Sequence, residues 1–496
     1  MAKLFKNADE RALAHAIGRL NFTNPFSEER ILLEREIIGA DYRDSGGIWH
    51  LHSADDSMRS NIALLKQTAD ELTASLRRRL SENTRFAPED IVIYETAAIY
   101  SLFESYRPQV WQDIQEDKPC PSFAAFSADF AHLLQLPKAQ ASGSYTPERS
   151  YAIFAQITRA FSHIFDVIVG SSPAAAKLRA DIWQSIFSFD IYRYNRVLYD
   201  RMNNLTTLIT GESGSGKELV ARAIACSQYI PFNPATRRFA VSYKECFLPI
   251  QLSAMPTTLL DSELFGHRKG AYTGALEDRA GVFESCPASG TVFLDEIGEI
   301  SEEIQVKLLR ILQNRTFISL GDTRTKEFKG KVVAATNRDL TAAIEQGRFR
   351  SDLYYRLCAD VITTPPLRRM LNGKPEELLS FVKTLAARLL GAEEAREFAP
   401  KAVAWIFDHL GADYPWQGNV RELEQCIRNL IIRGNYTPPA PGGDNIAARL
   451  EAGDLTCAEL LRRYARIVYA KHNANLSRAA EALQIDRRTL KSYLDE

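Results

Sequence analysis

Apolar positions in the first third of the chain recur at helical spacing. From Met58 onward, Ile62, Leu65, Ala69, Leu72, Leu76 and Leu80 stand three or four residues apart, which lines them along one helix face. Such a stripe has two readings: a face packed on the chain's own core, or the seam of a dimerising coiled coil. Residues 1–165 read as mostly helical. The middle of the chain changes period. Runs rich in β-branched residues, LTTLIT from Leu205, TVFLD from Thr291 and KVVAATN from Lys331, alternate with helical patterns. Apolar strands separated by helices predict a parallel sheet covered on both faces. After TTPPLRR the pattern is helical again to about Arg433. GNYTPPAPGGDN at 434–445 is then too dense in Gly and Pro for regular structure. A last helical stretch occupies 455–496.

Composition narrows this picture. A chain of 496 residues is too long for a single core, so it divides into domains. Hydrophobic content of 45% and charged content of 25% are those of a soluble globular protein. The formal net charge is -1, so a nucleic-acid face must be local. The seven cysteines are scattered and form no C-x-x-C pair, which fits a reducing cytosol. No apolar run nears the ~20 residues of a membrane span, so the reading is cytoplasmic, with no membrane partner. Trp49-His50-Leu51-His52 sets two imidazoles close together. Without a nearby cysteine or acidic cluster, the pair reads as packing or surface rather than a metal site.

The chemistry concentrates in the middle. Directly after the strand LTTLIT come Gly211, Glu212, Ser213, Gly214, Ser215, Gly216 and Lys217, then a helix. Glycines let successive backbone N–H groups turn inward around a phosphate chain. The helix N-terminus points at the same anion, and the lysine adds a mobile positive charge. This predicts nucleotide binding. Glu218 is counted with the nucleotide-binding residues, but it stands where the generic loop carries a magnesium-binding Ser or Thr, so the metal leans on another acid. GTVFLDEIGEI supplies one. Its strand ends in Asp295, placed to hold Mg2+, and Glu296, placed to orient and polarise an attacking water. Asn337 ends KVVAATN, where its amide can sense the γ-phosphate. Arg350 and Arg356 in GRFRSDLYYRL read as surface salt-bridge residues or as arginines delivered to a phosphoryl group, a role worth roughly 10^3 to 10^5 in rate.

Between these motifs stands a hexapeptide, Gly270-Ala271-Tyr272-Thr273-Gly274-Ala275. Glycines at both ends weaken helix and strand alike. The hexapeptide reads as a plain surface loop or as a mobile recognition tip with one exposed aromatic beside a hydroxyl.

From Gly211 through Arg421 the chain resembles the AAA+ ATPase module of sigma-54-dependent transcriptional activators, the bacterial enhancer-binding proteins. GESGSGKELVARAI, LLDSELFGHRKGAYTGA, GTVFLDEIGEI, ATNRDL, GRFRSDLYYRL and WQGNVREL carry the resemblance, in the family's order. It implies a multidomain chain: an α/β P-loop AAA+ core with a helical lid, a mainly helical N-terminal domain, and a small all-α helix-turn-helix at the C-terminus. The expected boundaries are a regulatory domain at 1–165, the ATPase domain at 168–365, the lid at 366–433, a linker at 434–454 and the DNA-binding domain at 455–496. By this resemblance Lys217 is the Walker A lysine, Asp295 and Glu296 the Walker B pair, and Asn337 sensor I. Arg350 and Arg356 are fingers reaching a neighbouring subunit, and Arg421 is sensor II in its own. The hexapeptide contacts sigma-54, usually with Phe where Tyr272 stands. The implied cofactors are ATP and Mg2+. The implied partners are the sigma-54 RNA polymerase holoenzyme, an enhancer-like upstream DNA site and further copies of the chain in a ring, usually a hexamer. Two positions depart from the family: Gln251 where an asparagine holds the Walker B glutamate, and Gln417 where the lid motif has proline.

The C-terminal segment has the spacing of a helix-turn-helix, with Ala479, Ala480, Leu483, Ile485 and Leu490 inward and Asp486 as cap of the second helix. Arg487, Arg488, Thr489, Lys491 and Ser492 face outward. From Leu455 to Glu496, eight Lys/Arg stand against five Asp/Glu, an excess of +3, which suits phosphate contacts, with Arg487 and Arg488 for base edges. The segment resembles the Fis-type domain, although Gln484 occupies a turn where Gly is common; an inert helical hairpin is the other reading. The N-terminal segment lacks the strand-end acids of a phospho-receiver and is assigned a regulatory role from its position alone. As a whole the sequence points to an activator that couples ATP hydrolysis to promoter opening. The alternative is an AAA+ DNA-binding regulator acting on a different partner, with nucleotide serving mainly as a ligand.

Overall fold

The computed structural model describes residues 3–43, 56–82, 86–116, 118–136, 145–272, 274–438, 456–472 and 475–495. The His50/His52 pair, Thr273 in the hexapeptide and positions 439–454 of the linker lie outside the described residues. The chain forms two compact units, Met1–Ile427 and Arg428–Glu496.

The first unit opens with six helices: α1 (Ala8–Leu20), α2 (Glu28–Ile38), α3 (Asp56–Glu82), α4 (Pro88–Glu116), α5 (Ser122–Leu134) and α6 (Pro147–Val167). Local chemistry starts them where it should. The side chain of Asn7 accepts the Glu10 N–H at the head of α1, and Thr146 caps α6 ahead of Pro147. The periodic stripe of α3 faces inward: Leu65, Ala69 and Leu76 are fully buried, and Leu72 and Leu80 nearly so. It packs on α2 and α4 of its own chain, which settles the stripe as a core face. At the centre, the fully buried ring of Phe126 meets Tyr106, Tyr151 and Phe154 edge-on, with centroids 5.3, 5.2 and 5.6 Å away. Asp113 is buried there and is satisfied by the hydroxyls of Tyr151 (2.6 Å) and Ser122 (2.7 Å).

No break in packing falls at residue 165. A short hairpin from the middle of the chain, Phe232–Asn233 paired with Arg238–Phe239, inserts into this helical core. The Phe232 ring lies 4.6 Å from that of Phe123 and 4.8 Å from that of Tyr151. The helical front region and the α/β region that follows therefore share one apolar core.

Five parallel strands form the central sheet: β1 (Thr207–Thr210), β2 (Phe247–Gln251), β3 (Thr291–Asp295), β4 (Lys331–Thr336) and β5 (Asp360–Thr363), in the order β2-β3-β4-β1-β5. β4 is buried along its whole length and β3 over all but its last residue, as strands covered on both faces must be. α7 (Pro173–Phe187) and α8 (Lys217–Cys226) cover the sheet, and helices Pro375–Leu390, Ala392–Leu410 and Asn419–Arg433 form a lid. Among the described residues no helix is long and apolar enough to cross a membrane. All seven cysteines are free thiols.

The second unit ends in three helices, Cys457–Lys471, Leu476–Leu483 and Arg487–Asp495, around Ala465, Ala479, Ala480 and Leu490. Asn475 caps the second, accepting the N–H groups of Ser477 and Arg478 at 3.1 Å each. Gln484 takes the left-handed conformation that glycine would supply, at φ 55°. Asp486 accepts the Arg488 N–H at 2.7 Å, as a cap does. Arg487, Arg488, Thr489, Lys491 and Ser492 are all exposed.

The front core generates a stability test. Phe126→Ala removes a fully buried ring at the meeting point of three others and should cost about 3–5 kcal/mol. Urea unfolding followed by the near-ultraviolet aromatic signal reads this directly.

Candidate functional site: a phosphate loop closed by the lid

The carboxyl ends of β1, β3 and β4 lie side by side, which is where ligands bind in open parallel sheets. Residues 211–217 leave β1 and run into α8, whose first residue is Lys217. Two glycines in this loop are forced by close approach. A Cβ on Gly211 would lie 2.1 Å from the Thr364 hydroxyl, and one on Gly214 would lie 2.4 Å from the Gly418 carbonyl. Both also have positive φ, 146° and 74°. The Lys217 ammonium sits inside the turn, donating to the carbonyl oxygens of Gly211 (3.0 Å) and Glu212 (3.2 Å). Burial lowers its proton affinity, and the nearby charges of Glu296 and Asp295 oppose that shift.

Asp295 ends β3. Burial first, and then the adjacent Glu296 charge, push its pKa up. Glu296 adopts a left-handed backbone at φ 57° that turns it off the strand, and its Oε2 accepts the Asn337 backbone N–H at 3.4 Å. So the contact between the ends of β3 and β4 is made by the main chain of Asn337. Gln251 pairs in register with Asp295 across β2 and β3. Its side-chain N–H donates to the Ser253 hydroxyl at 3.2 Å instead of reaching Glu296. Two crowded carboxylates beside a lysine fit half of a Mg2+ site, with phosphate oxygens completing it. Glu218 is no part of that set, since it is exposed and pairs with Arg222 at 3.4 Å.

The lid closes over the same loop. Arg421 donates to the Ser213 hydroxyl at 3.2 Å, and the Val420 N–H donates to the Gly214 carbonyl at 3.1 Å. The residue that sequence reading missed is Asn419. Its fully buried side chain accepts the Leu367 N–H at 2.8 Å and donates to Glu212 Oε2 (3.1 Å) and the Ser213 carbonyl (3.0 Å). Arg368 was missed too. It grips Glu212 through two bonds of 2.6 and 2.9 Å, which lower the Glu212 pKa. Thr364 ties Ser215 to the end of β5, hydroxyl to hydroxyl at 2.7 Å. The available signal was an asparagine at a helix start immediately after glycine, since asparagine tolerates the φ of 54° found there.

Arg350 and Arg356 stand apart from the loop. The Arg350 guanidinium lies on Asp352 (2.8 and 3.1 Å), with Glu302 at 3.6 Å. Its backbone N–H is fixed by Gln305 at 2.8 Å. Arg356 is exposed on the helix Ser351–Leu357. Neither donates to residues 211–217.

The hexapeptide tips a loop whose neck is sealed by paired backbone bonds between His267 and Arg279, both 2.9 Å. The neck is braced by Arg268, which holds Asp322 at 2.8 Å. Gly270 (φ 81°) and Gly274 (φ 107°) have nothing within 4 Å of a Cβ position, so their freedom serves backbone shape rather than fit. The aromatic is placed differently from the exposed ring expected. Tyr272 is half-buried, with its ring edge-on to His267 at 5.1 Å, and Leu276 is the exposed apolar side chain, at 78%.

Residues 193–363 match a family model described as the Sigma-54 interaction domain. The match is confined to the central region of the chain. The matched segment contains the phosphate loop, the hexapeptide, Asp295, Glu296, Asn337, Arg350 and Arg356, and it ends before Arg421. The sigma-54 interaction domain is, as a family, an AAA+ ATPase domain. A Nif-specific regulatory protein of Azotobacter vinelandii is 44% identical over 229 residues, covering 46% of this chain and 40% of that one. The anaerobic nitric oxide reductase transcription regulator NorR of Aeromonas hydrophila is 34% identical over 351 residues, covering 64% and 61%. The chain thus spans between about two fifths and three fifths of these relatives' lengths. NtrX from Brucella abortus, solved in complex with ATP, is similar over 72% of this chain and 76% of that chain at 23% identity, with a TM-score of 0.41, a loose superposition.

The lid contact generates the second test. Asn419→Ala removes three hydrogen bonds and leaves the Leu367 N–H buried without its partner, a loss of about 1–3 kcal/mol. Amide exchange at the start of the helix Asn419–Arg433 should then quicken by roughly 10-fold or more. Asn419→Gly relieves the backbone strain but restores no bond, so it should recover only part of the protection.

Proposed function

We propose that this chain is a sigma-54-dependent transcriptional activator: a DNA-binding, ring-forming ATPase that couples ATP hydrolysis to remodelling of sigma-54 RNA polymerase at promoters. The observation that carries the reading is the meeting of Lys217, Asp295, Glu296 and the lid's Arg421 around one phosphate loop within a sigma-54 interaction domain. Backbone N–H groups of 211–217 cradle the phosphates, and Lys217 moves from its carbonyl partners onto the β- and γ-phosphoryl oxygens. Asp295 holds Mg2+, which when bound neutralises charge developing on the phosphates. Glu296, held by the Asn337 N–H, takes the proton of the attacking water. Arg421 binds nucleotide from its own lid.

Arg350 and Arg356 complete the site of the adjacent subunit, in keeping with their lack of any bond to their own loop. Arg350 must leave Asp352 to do so, and exposed ion pairs of this kind hold only weakly. The loop carrying 270–275 engages sigma-54, with Tyr272 and Leu276 as its apolar groups. The outward residues of the last helix, Arg487, Arg488, Thr489, Lys491 and Ser492, meet an upstream DNA site. Residues 1–165 regulate the ATPase from within the same compact unit, and the protein works in the cytoplasm as a hexamer.

Glu296→Gln should bind ATP nearly as the unaltered chain does and lose most turnover; turnover that persists would remove Glu296 as the base. Arg350→Ala and Arg356→Ala should retain nucleotide binding and lose hydrolysis in the assembled ring. Mixing either with Lys217→Ala subunits should restore part of the activity, because an intact finger then faces an intact loop. Absence of recovery at every mixing ratio would count against delivery between subunits.

A further inference from the structure

One cavity in the first unit has no part in the phosphate-loop site. It measures about 910 Å³ and opens among α2, α4, α6 and α7, with Thr384 of the first lid helix at its edge. That volume suits a small organic ligand. Among the described residues, nine buried polar side-chain atoms have no hydrogen-bond partner, and four belong to residues that line this one cavity: the Tyr100 hydroxyl, the Trp183 indole N–H, one terminal nitrogen of Arg179 and the side-chain oxygen of Asn195. Tyr100, Arg179 and Trp183 are 2%, 4% and 4% exposed. Buried polar groups left unpaired cost free energy, and two of these four, the Arg179 and Trp183 nitrogens, are donors on the same helix, α7.

Charge refines this. Where Arg30 and Arg107 enter the cavity wall they are matched by Glu34 (2.6 Å) and Glu104 (3.5 Å). Arg179 bonds the carbonyls of Ile168 and Gly170 at 2.5 and 2.6 Å and lies over the Phe165 ring, 5.4 Å from its centroid, with no carboxylate among the described residues bonded to it. The carboxylate whose charge reaches it, Glu377, is itself bound by Ser171 at 2.6 and 2.8 Å. Arg179 and Trp183 stand four residues apart on α7, so their free N–H groups are neighbours on one helix face. Beside them the rings of Phe161, Phe165 and Trp183 form a continuous apolar wall, with Phe161 5.0 Å from Trp183 and 6.2 Å from Phe165.

We infer that this cavity binds a small aromatic monocarboxylate, its carboxylate on Arg179 and Trp183 and its ring against Phe161 and Phe165. The strap it touches leads to the ATPase: Arg179 holds the carbonyls of 168 and 170, and Ser171 next to them holds Glu377 near the start of the lid helix Pro375–Leu390. A ligand carboxylate on Arg179 bears on that strap.

Calorimetric titration of the full chain with 1-naphthoate, 1-naphthamide and naphthalene tests this without any ATPase readout, so its failure and a failure of the ATPase reading stay distinguishable. Naphthoate should bind most tightly of the three. Trp183→Phe keeps the shape and removes one donor to a charged group, so it should weaken naphthoate roughly 10-fold or more while changing naphthalene little. Ile157→Trp, one helical turn before Phe161 on the cavity wall, crowds the aromatic face and should weaken binding of all three. Absence of naphthoate binding at millimolar concentration overturns the inference, as does equal affinity for naphthoate and naphthalene. If Trp183→Phe fails to fold, by its melting temperature, the comparison of the three ligands on the unaltered chain decides alone.

Discussion

The closed arrangement at the phosphate loop depends on one buried amide. Asn419 is fully enclosed at the point where three segments meet: the turn after β5, the phosphate loop and the first turn of the last lid helix. Each segment has a backbone or carboxylate group that needs a partner there, and a single side chain with both donor and acceptor serves all three. An apolar residue of the same size would leave the Leu367 N–H and the Ser213 carbonyl unpaired in a dry place. The position of Arg421 follows from this, since it is two residues along the same helix.

The sheet was the most legible part of the molecule. Parallel strands buried on both faces are written as continuous apolar runs, and each of the three quoted from the sequence contains a strand. The phosphate loop was legible for a local reason as well: its glycines, lysine and helix start are contiguous, so spacing alone brings them together. Lys217, Asp295 and Glu296 needed only the rule that the carboxyl ends of parallel strands share one edge of the sheet. The core of the last three helices was readable from the period of its small apolar residues, and Ala479, Ala480 and Leu490 are buried as that period requires.

What sequence did not disclose depends on contacts between distant segments. Arg368 grips Glu212 across 156 positions and Asn419 reaches it across 207; no local pattern marks either. The hairpin at 232–239 carries no sign that it completes the core of a helical region eighty residues earlier, because two phenylalanines in a turn-rich stretch fit many settings. The boundary expected near residue 165 rests on a change of period, and a change of period says nothing about whether two regions share a core. Tyr272 follows the same logic. A ring between glycines reads as exposed until a histidine at the neck of its own loop offers an edge to pack against.

Sharing a core has a mechanical consequence. α8 is ten residues long, about 15 Å at 1.5 Å per residue. At its N-terminus Lys217 closes the phosphate loop. Just beyond its C-terminus the carbonyls of Ser227 and Gln228 are held by Gln156 (2.9 Å) and Arg159 (2.7 Å) of α6, both buried. Arg159 there sets a positive charge against the negative end of the helix dipole. Tyr194 donates to Gln156 at 2.8 Å and steadies the contact from the far side. The shortest physical route from the front region to the phosphates is therefore one rigid helix gripped at both ends. A second route runs from Arg179 through Ser171 and Glu377 to the lid, so that the two halves of the nucleotide site, loop and lid, are each tied to the front region by buried polar contacts. A shift of α6 along its own axis would load the loop, and a shift of the 168–171 strap would load the lid. A front region joined only by a flexible linker could do neither.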